Sequence, residues 1–324
     1  TSDLNTIAVL SEHTRFPEDS RIYTSAADLL VDGFVVGDFA YKAALKLFSQ
    51  DIRPAKIVVG KKLTADSYTV SISKLIASNN AWLFLITDAV NPADVKEIAG
   101  VIEATEKYFV WSSAEVDTTA ATVVDTIAQL KALGYKKTLA MFNENTNTTV
   151  PEAAWAGRFA PLLAGSTLWI HKPLVGIFPS KLSATQEADL KAKNANWYTT
   201  VAGIDVMYGD NKVVGGEYID VQLGITWLIT RMRECVFGTI VNQRKINFDT
   251  AGVALIESNI RSILQEAIEN NIIAAQPAPQ ITVPNVLALS SAQRNTRNLT
   301  GIKFTARLAG AIQTVLDIEG TVYA

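Results

Sequence analysis

Cysteine and histidine are nearly missing from this chain. Its 324 residues include one cysteine, Cys235, and two histidines, His13 and His171. One cysteine cannot close an intramolecular disulfide, and it excludes a thiolate-rich metal centre. Two isolated histidines leave little for imidazole chemistry. Charge is scarce as well: 19% of residues, against roughly 25% in ordinary soluble domains. The 29 basic and 32 acidic side chains leave a net charge of −3, so no bulk positive field exists to grip nucleic acid. No run of 18 apolar residues occurs, so direct membrane insertion is not expected. Thr1 to Leu10 lack the basic-then-apolar pattern of a signal peptide.

Apolar residues, by contrast, make up 48%. That excludes a disordered or collagen-like chain, and the length suits two domains. High apolarity with low charge leaves two readings open. One is a large buried core. The other is a subunit that buries its outer surface against copies of itself.

The hydrophobic pattern changes twice along the chain. Ile7 to Leu10 and Lys56 to Val59 read as strands, and Asp38 caps a helix bearing Tyr41, Leu45 and Phe48. From about Leu63 strands and helices alternate. Trp82–Thr87, Tyr108–Trp111, Lys137–Phe142 and Thr167–Ile170 are the strands. Helices are expected from Pro92, from Thr118 or Thr119 through Leu133, and from Pro151 through Leu163. That rhythm predicts a parallel or mixed sheet covered by helices. After Asn194 come short strand signals with glycine turns, then two long amphipathic helices. Ile225, Leu228, Ile229, Met232, Val236, Phe237, Ile240 and Val241 mark the first stripe; Val253, Ile256, Ile260, Ile263, Leu264, Ala267 and Ile268 mark the second. A short connection makes them an antiparallel pair. The expected class is α/β (mixed α+β), divided at 1–62, 63–194 and 195–324.

The last stretch alternates. Ile302, Phe304, Ala306 and Leu308 interleave with Lys303, Thr305 and Arg307. Ile312, Leu316, Ile318 and Val322 then interleave with Gln313, Asp317, Glu319 and Thr321. These are two half-buried strands. They form a hairpin within one subunit, or the second is donated to a neighbour's sheet, where backbone hydrogen bonds give affinity and alternate side chains give register.

Catalytic chemistry is hard to find. Neither histidine has a nucleophile motif beside it. Cys235 sits inside the first long helix as a small core or flank residue. Gly60-Lys61-Lys62 lacks the rest of a phosphate-binding loop. Asp88, after a strong strand, is the candidate carboxylate for an α/β-fold enzyme. Asp94 and Asn91-Pro92 fit helix capping better. The sequence implies no cofactor and no metal. Arg231, Arg233, Arg244 and Lys245 flank the first long helix, and Arg294 and Arg297 lie in a polar loop. Each set is a solvated face or an interaction surface; neither carries the interleaved aromatics that stack on bases.

Order and spacing then carry a resemblance. Arg21-Ile22-Tyr23-Thr24-Ser25, Ile57-Val58-Val59-Gly60, Ala164-Gly165-Ser166-Thr167-Leu168-Trp169, Asn194-Ala195-Asn196-Trp197-Tyr198, Gly215-Gly216-Glu217-Tyr218-Ile219-Asp220 and Lys245-Ile246-Asn247-Phe248-Asp249 follow one another. The set resembles contractile tail sheath proteins of myophage-type bacteriophages over almost the whole chain. The resemblance implies a core built from residues 1–62 and 195–324, with 63–194 inserted as an outward-facing α/β domain. It implies self-assembly into stacked six-fold rings around a tail tube, with baseplate and tail terminator partners. The host would be a bacterium, with assembly in its cytoplasm and a final place in the virion. It implies terminal arms exchanged between subunits, here Ile312, Leu316, Ile318 and Val322; the family also has an N-terminal arm before the first core strand, and with Thr1 only six residues before Ile7 either that arm is missing from this sequence or the linkage differs. Arg244, Lys245 and Arg261 are candidate tube-facing cations. Contraction would drive the tube through a host envelope without catalysis. A tailocin or secretion-system sheath is the alternative, and a carboxylate enzyme a further one.

Overall fold

The computed structural model describes residues 4–313. The chain divides into two compact units, Thr1–Trp227 and Leu228–Ala324.

The first unit is built on one eight-stranded sheet. Its strands are β1 (Ile7–Glu12), β2 (Ser20–Tyr23), β3 (Ile57–Lys62), β4 (Phe84–Thr87), β5 (Tyr108–Ser113), β6 (Thr138–Phe142), β7 (Asn196–Val201) and β8 (Ile204–Tyr208). Their order is β2-β3-β1-β4-β5-β6-β7-β8. The six central strands run parallel, and β2 and β8 close the edges antiparallel. Strands covered on both faces read as continuous apolar runs rather than alternating ones. β4 and β6 are buried at every position. The covering helices are α1 (Ala26–Val31), α2 (Phe39–Phe48), α3 (Tyr68–Ser78), α4 (Pro92–Glu103), α5 (Thr126–Ala132), α6 (Thr146–Thr149), α7 (Pro151–Phe159) and α8 (Ala184–Ala192). Their starts are set by side chains that satisfy the free amides of the first turn. Ser25 and Ser183 form capping boxes with Asp28 and Gln186, and Asn91 accepts from Ala93 ahead of Pro92.

The mixed α/β class therefore holds. Strands from 1–62 and 63–194 share one sheet, and the compact unit runs on to Trp227. Register explains it, because β1 pairs with β3 on one side and β4 on the other. Two local expectations are corrected. Thr167–Ile170 is not a strand. Trp169 instead packs against Phe84, Trp155 and Phe159, with ring centroids 5.0, 5.8 and 5.6 Å away. Its backbone is held by side chains, Asn211 Oδ1 accepting from its N–H and the Trp155 indole donating to its carbonyl. The 118–133 helix is shorter than expected. A 3₁₀ turn at Val116–Thr119 precedes a loop, and α5 starts only after its cap Asp125. Lys193 reaches into that loop, donating to the Asp117 and Thr118 carbonyls and to Asp125 at 2.7 Å.

Helix α9 (Ile219–Asn242) begins in the first unit and continues into the second. Its first turns lie against Gly165, whose φ is 82° and where a Cβ would stand 2.3 Å from the Gly224 Cα, so Gly165 tolerates no side chain. In the second unit α9 packs antiparallel to α10 (Thr250–Glu269), as expected: Arg231 pairs with Glu266 at 3.1 Å, and Asn259 donates to Thr239 at 2.7 Å. Asp249 caps α10 by accepting from the Gly252 amide. A two-stranded ribbon completes the unit, β9 (Gln280–Thr282) against β10 (Lys303–Thr305), with a 3₁₀ turn at Val286–Ala288 and α11 (Ser291–Asn295) between them. The alternation at 302–308 thus finds its strand partner upstream, at Gln280–Thr282. Leu316, Ile318 and Val322 lie outside the described residues.

Candidate functional site

Two places could carry function, one in each unit. The first is a cleft of about 330 Å³ at the C-terminal ends of β4 and β5, lined by Lys42, Asp88, Ser112, Glu115, Thr146 and Glu152 among others. The topology puts it there: the chain leaves β1 toward β3 on one side and later enters β4 on the other, and such crossings open a crevice. Asp88, the enzyme candidate, is indeed in it. Its two oxygens are already engaged, Oδ2 by the Glu12 amide and Oδ1 by the Tyr68 hydroxyl, both at 2.8 Å. Burial pushes this carboxyl above its ordinary range, against those two hydrogen bonds. Asp88 so clasps the ends of β1 and β4 to α3.

Glu152 is the group the sequence did not single out. It is fully buried at the start of α7, and its partner is the Ser112 hydroxyl, which also receives the Thr146 hydroxyl at 2.7 Å. Burial raises its pKa to about 7, so near neutrality the carboxyl still holds much of its proton and is a poor base toward Ser112. No motif announced it; only its position after Pro151, where α7 turns inward, gives it this role. The residue before α7, Val150, is held in the left-handed region at φ 49°, a costly conformation for a β-branched side chain.

The histidines lie elsewhere. His13 is buried between Phe16 and Phe34, with ring centroids at 4.6 and 4.9 Å, and burial lowers its pKa to about 4. His171 stands in a left-handed turn, its amide bonded to the Met207 carbonyl. Asp94 is in the first turn of α4, behind the Asn91 cap. Among the described residues no three potential ligands gather as a metal site. Among them, too, no helix is long and apolar enough to cross a membrane.

The second place is a groove of about 600 Å³ in the second unit, where the α9–α10 turn meets the 297–302 segment. Phe248, Val253, Ile256 and Ile260 form an apolar floor, and Arg244, Lys245 and Arg297 stand among its lining residues without any carboxylate. The structure thus brings together two of the three candidate tube-facing cations, plus Arg297. Arg261 lies apart and pairs with Glu257 at 2.7 Å, an exposed pair one turn away on the same helix. Arg231 bridges Glu234 and Glu266 across the helices. The Cys235 thiol faces the Asn259 carbonyl in the same seam. Arg294 ends α11. Ile312 is exposed. Around the groove the outer stripe of α9 is bare: Phe237, Ile240 and Val241 are 68%, 56% and 63% exposed.

This fold, a mostly parallel sheet with antiparallel edges followed by a long helix pair and a ribbon, is similar to that of chains in solved structures. Three solved structures show the likeness. The anti-feeding prophage baseplate structure contains a chain matching at TM-score 0.74 and 12% identity, covering 99% of this chain and 94% of that one. A chain of the contracted PVC sheath complex, from an extracellular contractile injection system, matches at 0.72 and 12% identity over 98% and 91%. A sheath tail protein from Listeria innocua matches at 0.56 and 9% identity over 96% of both chains. A scan against family models and a search of curated proteins gave no match.

Proposed function

We propose that this chain is a structural subunit of a contractile sheath: it polymerises around an inner tube and shortens to drive that tube through a target envelope. The observation that carries the reading is the likeness of fold over nearly the whole chain to a contracted sheath complex and a sheath tail protein. The bare stripe on α9 and the ribbon support it. β10 is exposed at all three positions, and a lone two-stranded ribbon is marginal in water until further strands or a packing face join it. A donated segment bearing Ile312, Leu316, Ile318 and Val322 would supply that. An inner tube facing Arg244, Lys245 and Arg261, six-fold self-assembly, and baseplate and terminator contacts belong to the same proposal.

In this mechanism no bond is made or broken. The stored energy is a difference in buried surface between two lattice states. An extra 100 Å² or so of apolar burial per subunit contributes ~2.5 kcal/mol, and every copy adds its share. A phage tail sheath and the sheath of a related injection machine both fit.

Negative-stain electron microscopy of the concentrated protein, with and without tail tubes, tests the proposal. Striated tubes or stacked rings are expected. Uniform monomers under every condition, or a substrate-dependent activity lost in Asp88→Ala, would turn the reading toward an enzyme.

A further inference from the structure

The sheath reading gives no role to the cleft at the C-terminal ends of β4 and β5. Four parts of the first unit build it. The start of α2 brings Phe39 and Lys42, and the turn after β4 brings Asp88. β5 brings Trp111, with Glu115 just beyond its end, and the start of α7 brings Glu152. Two of these walls are locked together: a Cβ on Gly157 of α7 would stand 2.8 Å from the Leu47 Cα of α2. The cleft is therefore preformed, as small-molecule sites usually are. At about 330 Å³ it has room for one ring rather than a dinucleotide. Its charges narrow the occupant further. Three carboxyls and one ammonium line it, which disfavours phosphates and other polyanions. Among the described residues the Lys42 ammonium has no hydrogen-bond or ion-pair partner, so it is a spare donor and opposes an organic cation. Asp88 and Glu115 already receive one donor on each oxygen. For Glu115 these are the Thr126 amide at 2.8 Å and the Thr126 hydroxyl at 2.5 Å. A carboxylate offers about four acceptor sites, so each keeps roughly two for the hydroxyls of a ligand. Phe39 and Trp111 add apolar surface beside them.

We propose that this cleft binds a neutral sugar, one ring of it, whose hydroxyls donate to Asp88 and Glu115 and accept from Lys42. The C–H faces of the ring lie on the apolar surface of Phe39 and Trp111. Such a ring combines what the lining asks for: several hydroxyls around its edge, apolar faces and no net charge. The cleft holds the sugar without transforming it. Asp88 is bound by two donors, and Glu152 keeps much of its proton near neutrality, so neither is a ready base. The site gives the chain a ligand-binding activity separate from assembly, and it stands whether or not the chain polymerises.

Saturation-transfer NMR and calorimetry on the full-length chain test the proposal. The probes are glucose, galactose, mannose and N-acetylglucosamine, with inorganic phosphate and putrescine beside them. At least one sugar should bind saturably at one site per chain, and neither phosphate nor putrescine should displace it. Three variants place the site. Gly37→Phe crowds the cleft from its lining, and a Cβ there meets no atom within 4 Å, so the fold should hold. Glu115→Gln keeps an acceptor for the Thr126 amide and a partner for its hydroxyl. Lys42→Met removes an ammonium with no partner to lose. Each should weaken sugar binding about tenfold or more, with circular dichroism and urea midpoint unchanged; should one misfold, the other two decide. Failure of all four sugars to bind overturns the proposal, as does binding that the folded variants leave unchanged. Preferential binding of phosphate or putrescine also overturns it and gives the cleft to an anion or a cation.

Discussion

The two units solve the burial problem in opposite ways. In the first, the sheet is covered on both faces, Trp155, Trp169 and Trp197 are buried outright, and the large exposed aliphatics lie on loops and helix ends, singly as at Val90 and Val116 or in short pairs as at Leu30-Val31 and Val123-Val124. In the second, the helix pair buries only its seam. A stripe of α9 and both faces of β10 remain in water. A monomer does not keep such a surface cheaply, since contiguous exposed apolar area marks an interaction site. The contrast teaches that stability and assembly reside in different parts of the chain, so substitutions in the two units should separate in their effects.

The largest effect should come from the aromatic cluster of the first unit. Trp169→Ala removes the side chain that fills the space between Phe84, Trp155 and Phe159, and is expected to cost about 3–5 kcal/mol in urea unfolding of the monomer. Lys193→Ala should come close behind. It strands Asp125, whose side chain is 0% exposed, and breaking a buried pair from one side costs about 3–5 kcal/mol; adding Asp125→Asn should recover part of the loss.

Two buried titratable groups give the first unit a pH signature that nearly cancels in the wild type. Burial raises Glu152 from the ordinary 4.5 to about 7. The native state therefore binds more protons than the unfolded one, and this group's contribution is lost as pH rises from 4.5 through 7. Burial lowers His13 from 6.5 to about 4. Its contribution is present above 6.5 and lost as pH falls toward 4. Between those limits the slopes oppose each other. Glu152→Gln should leave stability rising with pH from 4 to 6.5, and His13→Gln should leave it falling from 4.5 to 7, each by about one proton, as read from urea midpoints across that range. A flat profile in both variants would remove these two groups as the source.

The smallest effect on folding, and the sharpest break in the comparison, is expected on α9. Phe237→Ser with Val241→Ser should change monomer stability by no more than about 0.5 kcal/mol, as exposed substitutions do. The same pair should raise the concentration needed for polymer. If instead it unfolds the monomer, the stripe is internal packing and the contrast between the units fails.

How much of this was legible in the sequence follows from what each signal depends on. Buried parallel strands and capped helices announce themselves locally, so β1, β4, β5, β6 and the α9–α10 pair could be read directly. Thr167–Ile170 could not, because its density of apolar residues serves a cluster around Trp169, and the backbone bonds to β8 come only from His171 and Lys172 just beyond it. β9 was missed for the opposite reason: Pro277, Pro279 and Pro284 dominate its surroundings, while its pairing with β10 is a long-range fact. Asp88 was found and its role was not, since the Tyr68 and Glu12 partners come from α3 and β1. Glu152 and the cationic groove depend on side chains converging from distant elements, which no single window displays. Arg244 and Lys245 were marked as a charged pair, but only the fold adds Arg297 and sends Arg261 to Glu257.

Hydrogen–deuterium exchange on the free and the polymerised chain tests the central contrast most directly, because it reports protection element by element. The account predicts slowed exchange on assembly in α9 beyond Leu228, α10, β9 and β10, with β1, β4, β5 and β6 already protected and unchanged. Protection gained mainly in the first unit, with the ribbon and α9 exchanging as fast in the polymer as in the free chain, would contradict it.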